Sequence, residues 1–178
     1  VQETEASDSA KLAILTAMVT AHRIGVVVRL EWNHINEKTG VWTVPERVDK
    51  STKGRMKSGR EYALKLPSEL LGNLTSLRDK TSGPYVFESP NTRGHLTENA
   101  ILKILKRFDH GLTTHGFRNS IKEFCRKAEP QVPDYVADAY CDHSLRGLDA
   151  SYRRFDTSEE RAKLAERLYR HVAGQKNV

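Results

Sequence analysis

Thr113-Thr-His-Gly-Phe-Arg-Asn-Ser-Ile-Lys-Glu-Phe-Cys-Arg126 is the stretch whose pattern sets the expected fold. Thr113 or Thr114 can cap a helix, a hydroxyl accepting from one of the unpaired N–H groups of the first turn. Phe117, Ile121, Phe124, Cys125 and Ala128 then recur at i, i+4, i+7, i+8 and i+11, the spacing of a buried stripe. His115 and Arg118 lie three apart and share one face of that first turn, beside free N–H groups and the positive end of the dipole. An imidazole and a guanidinium placed there suit an anion, above all a phosphate. The same residues also fit a capped core helix whose His and Arg face solvent. The stretch alone leaves both readings open.

Outward from it, helical patterns dominate. Residues 10–22 carry Leu12, Ile14, Leu15, Met18 and Val19 and read as a buried helix. Val26, Val27, Val28 and Leu30 fit either a strand or a short buried helix, because β-branching favours one and spacing allows the other. Residues 32–45 read as a hairpin, with Asn36-Glu-Lys-Thr-Gly40 as its turn and Val41 to Val44 as a strand. A third strand is expected over 61–66, and then a helix capped by Ser68 that runs toward Arg78. Residues 85–87 form a short extended piece. Thr97 caps a helix carrying Ile101, Leu102, Ile104, Leu105 and Phe108, and Gly111 ends that unit. Pro130 and Pro133 bracket a linker before a short helix over 135–141. The closing helix opens on Thr157-Ser-Glu-Glu160, a capping-box pattern, with Leu164, Ala165, Leu168, Tyr169 and Val172 on one face. The expected fold is mainly α with a small antiparallel β-sheet, an α+β architecture.

Size and composition bound what such a fold can do. At 178 residues the chain has the length of one domain with a sizeable core. No apolar run approaches the roughly 18–20 residues that cross a bilayer. The start is acidic and polar, unlike a secretory signal, and points to a cytoplasmic protein. It lacks an initiator Met, so a fragment of a longer protein is expected. Twenty-nine Lys and Arg against 23 Asp and Glu favour a polyanionic partner. Cys125 and Cys141 both fall in helical patterns and read as reduced core thiols. No Cys-x-x-Cys or His-Glu-x-x-His occurs, so no metal site is indicated.

Four further segments carry candidate chemistry. Arg23 follows the first helix, where alone it would be a C-terminal charge pair. Residues 46–65 hold seven basic side chains, among them Arg47, Lys50, Lys53, Arg55, Lys57 and Arg60, against three acidic ones. A basic connection between strands is a solvated loop or a DNA contact. His143 in a loop and Tyr152 beside Arg153 and Arg154 would each be unremarkable singly.

In order, these residues resemble the catalytic domain of the tyrosine recombinases, the phage and genomic-island integrases. Arg23, Gly25, Leu30 and Trp32 meet the first box, and Thr114-His115-Gly116-Phe117-Arg118 meets the second. His143, nine residues before Tyr152, meets the third. The segment Ala150-Ser-Tyr-Arg-Arg-Phe-Asp, continued by Glu159-Glu-Arg161, is similar to the island-integrase branch. The likeness spans nearly the whole chain.

The resemblance implies a mechanism that elementary chemistry supports. Tyr152 attacks a DNA phosphodiester, leaving a 3′-phosphotyrosine and a 5′-hydroxyl. A phenol of pKa about 10 is a weak nucleophile when neutral, so it needs a base and an electron-poor phosphorus; His115 is the candidate base. Arg23 and Arg118 hold the non-bridging oxygens bidentately, and His143 donates one more hydrogen bond. Lys57 protonates the leaving 5′-oxygen, with Lys53 as the runner-up. Lys50, Lys53, Arg55, Arg60 and Arg153 bind DNA. Neither metal nor cofactor is implied. Expected partners are double-stranded attachment sites, three further copies in a homotetramer on DNA, and DNA-bending accessory proteins, with no membrane.

Residues 1–156 are expected to be the catalytic domain and 157–178 a helix available for exchange between subunits. An N-terminal DNA-binding domain of a longer protein is expected to precede them. Two positions depart from the family pattern. Val26 stands where an acidic residue is usual, and Asp142 where a small residue precedes the His. A catalytically impaired DNA-binding module and a type IB topoisomerase-like strand-relaxing enzyme are the rival readings. An RNA-binding or structural basic domain is more remote, since no aromatic stacking sheet or Gly-x-x-Gly clamp is present.

Overall fold

A computed structural model describes residues 7–49, 52–90, 94–109, 111, 113–143 and 156–175, without the side chains of Thr114 and His115. Its first element, α1 (Asp8–Thr20), starts where the Ser7 hydroxyl accepts from the Ala10 N–H at 3.3 Å. It stops at Ala21, whose φ of 57° is left-handed, so His22 lies beyond the helix. The buried face of α1 is only in part the expected one. Val19 lies inside as expected, with Ala13, Thr16, Ala17 and Thr20, while Leu12, Ile14 and Leu15 are only partly covered. The two threonine hydroxyls donate to carbonyls one turn back, at 2.8 Å each, so they can be buried without loss. A face of small side chains lets five other helices of the chain reach α1.

The valine run is helical. α2 (Ile24–Val27) is a single turn, and Val26, Val27, Val28 and Leu30 are all buried. A 3-10 turn at Trp32–His34 leads into β1 (Ile35–Asn36), then β2 (Val41–Val44) and β3 (Tyr62–Lys65). These form one antiparallel sheet in chain order, with Trp42 opposite Leu64 and Val44 opposite Tyr62, all four facing the core. The hairpin turn closes because Asn36 Oδ1 accepts from the Lys38 and Thr39 N–H groups while Gly40 takes a φ of 71°.

The helices that follow come where expected, with changed ends. α3 (Ser68–Thr75) has Pro67, not Ser68, at its cap; the Ser68 N–H donates instead to Glu166 at 3.2 Å. Of the extended piece expected over 85–87 only Tyr85 makes a β-bridge, with Glu31, while residues 86 and 87 are bends. α4 (Glu98–Phe108) is capped by Thr97, but Phe108 at its end is 76% exposed rather than part of the core stripe. α5 (Thr114–Lys127) is capped by Thr113, whose hydroxyl accepts from the Gly116 N–H at 3.0 Å. Ile121 and Cys125 are buried on its inner face. α6 is Asp134–Tyr140, and both cysteines are free and buried.

The closing helix, α7 (Ser158–Val172), makes no capping box. Thr157 gives no side-chain cap bond, and Asp156 accepts from the Ser158 N–H at 2.9 Å. Leu164, Ala165, Leu168 and Tyr169 pack inward against β3, α1 and α6 of the same chain. Arg161 lies over the Tyr62 ring at 4.8 Å and donates to the Ala63 carbonyl at 2.8 Å. Among the described residues no helix is long and apolar enough to cross a membrane.

Because Leu168 is 2% exposed at the centre of this contact, Leu168→Ala is expected to lower unfolding free energy by about 3 kcal/mol. Denaturant titration checks this; a change within about 0.5 kcal/mol, as for an ordinary surface substitution, would show that α7 is not part of the folded core.

Candidate phosphate-binding site

Where α1 ends, three segments meet. Arg118, on the second turn of α5, is only 3% exposed. Its Nη1 donates to the Ala21 carbonyl at 2.7 Å and its Nη2 to the Cys141 carbonyl, while Nε has no protein partner. Arg118 therefore does not face solvent, as a plain capped core helix would have it: it is buried and fastened. The left-handed turn at Ala21 directs a carbonyl at α5, and that local bend fixes the guanidinium.

Arg118 opens onto a cleft of about 400 Å³. Its floor is the segment from Arg23 to Val26, and its far wall is the β2–β3 connection from Thr52 to Arg55, joined by Arg47, Arg29 and Glu98. Six basic side chains line it (Arg23, Arg29, Arg47, Lys53, Arg55 and Arg118) against the one carboxylate of Glu98. That carboxylate is already engaged, 3.0 Å from Arg29 Nη1, which also donates to the Gly25 carbonyl. Gly25 and Gly54 make the cleft possible. A Cβ on Gly25 would stand 2.8 Å from Glu98 Oε1, and one on Gly54, at a φ of 70°, would stand 2.9 Å from Arg29.

The charges are crowded. Arg23 is half-buried, and its pKa is lowered first by burial and then by the Arg118 charge, with Asp142 pulling the other way. Two guanidiniums that repel one another in a partly desolvated cleft gain much from an anion between them.

Lys57 and His143 stand outside this lining but beside it. Lys57 is exposed, while its neighbour Met56 is buried. The following N–H, of Ser58, donates to Asp142 Oδ2 at 3.1 Å, which ties the basic connection to the turn carrying His143. His143 Nδ1 is 3.5 Å from Asp138, which also takes Lys122 at 2.6 Å. Its pKa is lowered by burial first and then by Lys122 and Arg118, so the neutral ring is favoured. Arg55 is half-buried, and Lys53 and Arg60 are exposed. Lys50, Tyr152 and Arg153 lie outside the described residues, as does the side chain of His115. Of the expected residues, then, Arg23, Arg118, Lys53 and Arg55 share one cleft, and Lys57 and His143 border it.

Two other tyrosines are unfit as nucleophiles. Tyr62 donates to the Tyr140 carbonyl at 3.0 Å and Tyr140 to the Val19 carbonyl at 2.6 Å; both are buried. Burial pushes Tyr62 up to about 12 and Tyr140 well above the ordinary phenol value. A larger open groove of about 810 Å³ near Trp32 has only two basic side chains, Lys38 and Arg78, and Arg78 is engaged, lying 4.7 Å over that ring and pairing with Glu37 at 3.3 Å. Among the described residues no group of three or more His, Cys, Asp and Glu could hold a metal ion.

Sequence reasoning missed His22, Glu98 and the reach of Asp142. Nothing in the sequence brings Glu98 to Gly25, 73 positions away. His22 did carry a signal, its place beside Arg23 in the first box. It is 2% exposed, with Nδ1 2.8 Å from the Thr20 carbonyl and Nε2 unpartnered. The ring lies 4.6 Å from Trp42 and 5.1 Å from Tyr62, fixing the sheet against the bend that presents Arg23.

A family model described as the phage integrase family matches residues 2–159. Comparison with curated proteins and with solved structures finds no match.

Burial lowers His22 from 6.5 to about 4, so the folded state keeps the ring neutral while the unfolded chain takes up a proton below pH 6.5. Stability is therefore unaffected by this group above pH 6.5 and falls between pH 6.5 and about 4, by on the order of 3 kcal/mol. His22→Phe should flatten that segment of the stability–pH curve. Equal slopes for both proteins in urea melts would rule the effect out.

Proposed function

The chain belongs to the phage integrase family, the tyrosine recombinases, and from that premise we propose that it cuts and rejoins double-stranded DNA at attachment sites, integrating or excising a mobile element. The observation that carries the reading is the cleft of six cations facing one paired carboxylate, centred on Arg23 and Arg118. A phosphodiester is the anion such a site suits, because planar guanidiniums match its two non-bridging oxygens and neutralise charge growing in the transition state.

Tyr152 is the nucleophile. Its oxygen forms a bond to phosphorus as the P–O5′ bond breaks, leaving a 3′-phosphotyrosine and a 5′-hydroxyl. His115, in the first turn of α5, takes the phenolic proton. Lys57 gives a proton to the departing 5′-oxygen, and the cleft-lining Lys53 is the alternative donor. His143 completes the phosphate grip; with a pKa lowered by burial and by nearby cations, it becomes a better donor once a phosphate sits beside it. The bond energy stays in the phosphotyrosine, so a second 5′-hydroxyl religates the strand without a nucleotide. Lys50, Lys53, Arg55, Arg60 and Arg153 hold the flanking backbone. The working assembly is a tetramer on two duplexes in the cytoplasm, aided by DNA-bending proteins.

A nicked suicide duplex that loses its short 5′-hydroxyl fragment tests this. Wild type should accumulate a covalent protein–DNA complex and Tyr152→Phe none; a complex formed by Tyr152→Phe would identify another nucleophile, and none with wild type would remove the activity. Arg118→Lys should slow complex formation by on the order of 100-fold, since a point charge cannot reproduce the fork or reach both carbonyls. Filter-binding affinity should change much less. Equal losses in both would reduce Arg118 to a simple electrostatic contact.

A further inference from the structure

Asp142 does more than its place in a turn requires. Its φ of 50° is left-handed, a conformation that Asp tolerates better than most residues but that Gly adopts more easily. The turn is already closed by its backbone: the Asp142 N–H donates to the Ala139 carbonyl at 3.2 Å and the His143 N–H to the Asp138 carbonyl at 2.9 Å. The carboxylate is therefore free of turn-making, and it reaches across 84 positions to accept from the Ser58 N–H at 3.1 Å. Ser58 directly follows Lys57. On the other side, the carbonyl of Cys141, one residue earlier, holds Arg118. The floor gives Arg23 no carboxylate, because the residue three further on is the buried Val26.

Resting on the strand-transfer reading above, we infer that Asp142 is a positioning residue: its carboxylate, through the Ser58 N–H, holds the Lys57 segment beside the Arg23–Arg118 cleft. It touches neither the phosphate nor the reacting atoms. Its hydrogen bond limits how far Lys57 can stray from the 5′-oxygen it protonates, and a proton donor works only within hydrogen-bond reach of its target.

Substitution tests that role. Asp142→Asn keeps an oxygen for the Ser58 N–H, a weaker acceptor than the carboxylate, and tolerates the left-handed backbone. Asp142→Gly removes both charge and acceptor while relieving the backbone. Covalent-complex rates would be measured for the full chain at saturating DNA, on nicked duplexes with either oxygen or sulfur at the bridging 5′ position. A sulfur leaving group departs as a thiolate and needs no proton. Asp142→Gly is expected to slow the oxygen substrate by on the order of 10- to 100-fold, with binding changed less than about threefold, and the sulfur substrate to recover most of that loss. Asp142→Asn should fall between wild type and Asp142→Gly on oxygen. If Asp142→Gly fails to fold by thermal melting, Asp142→Asn carries the test alone, with a slower oxygen rate and partial sulfur rescue expected.

Wild-type rates in the variants on oxygen, or equal slowing on oxygen and sulfur, would overturn the inference while leaving strand transfer intact. Absence of any complex with wild type would remove both.

Discussion

The guanidinium of Arg118 joins three parts of the chain that are far apart in sequence. It is carried by α5, and it donates to the last turn of α1 through Ala21 and to the end of α6 through Cys141. Buried carbonyls need donors, and an ionised donor makes the stronger bond. Burying that charge is nonetheless costly unless something compensates it. Two carbonyl dipoles do part of this, and Nε remains without a protein partner. The fold thus holds a cation in place at the cost of solvation, an environment suited to an anion.

Around that fixed charge the rest of the site is positioned by small residues and by bends. The left-handed Ala21 both ends α1 and aims its carbonyl. Gly25 leaves room for the Glu98 carboxylate, and Gly54 lets the β2–β3 connection lie against Arg29. His22, wedged beside Trp42 and Tyr62, fixes the sheet relative to the floor of the cleft. The basic connection is in this way held at both ends, by Arg29 contact near Gly54 and by Asp142 at Ser58, while Lys57 between them stays exposed.

Much of this was legible in advance, and the gaps have physical causes. Periodicity placed α4, α5 and α7, because an amphipathic stripe depends only on spacing. Thr113 and Thr97 were readable as caps because capping is local chemistry. The α1 face was misread because hydrophobicity points to Leu12 and Ile14, whereas close helix packing selects Ala13 and Ala17. Val26 to Val28 left strand and helix open, and tertiary burial decided it. The capping box at Thr157 failed because its backbone, at a ψ of 15°, is not in the extended conformation of a capping residue. At the site, the residue types and their order pointed to a common anion, and Arg23 and Arg118 line one cleft. The links through Glu98 and Asp142 were invisible, since they join positions 73 and 84 apart with no local signature.

The packing of α7 has a bearing beyond its buried leucines. β3 is the last strand of the sheet, and a terminal strand carries main-chain groups that could recruit a strand from another molecule. Arg161 occupies one of them at Ala63, and the ring stack on Tyr62 holds it there. The helix is thus a lid on the sheet's open border, guarding against unwanted self-association. Any rearrangement that carried it to a neighbouring molecule would bare that border, so a tetramer built by trading helices must return an equivalent cover to each donor.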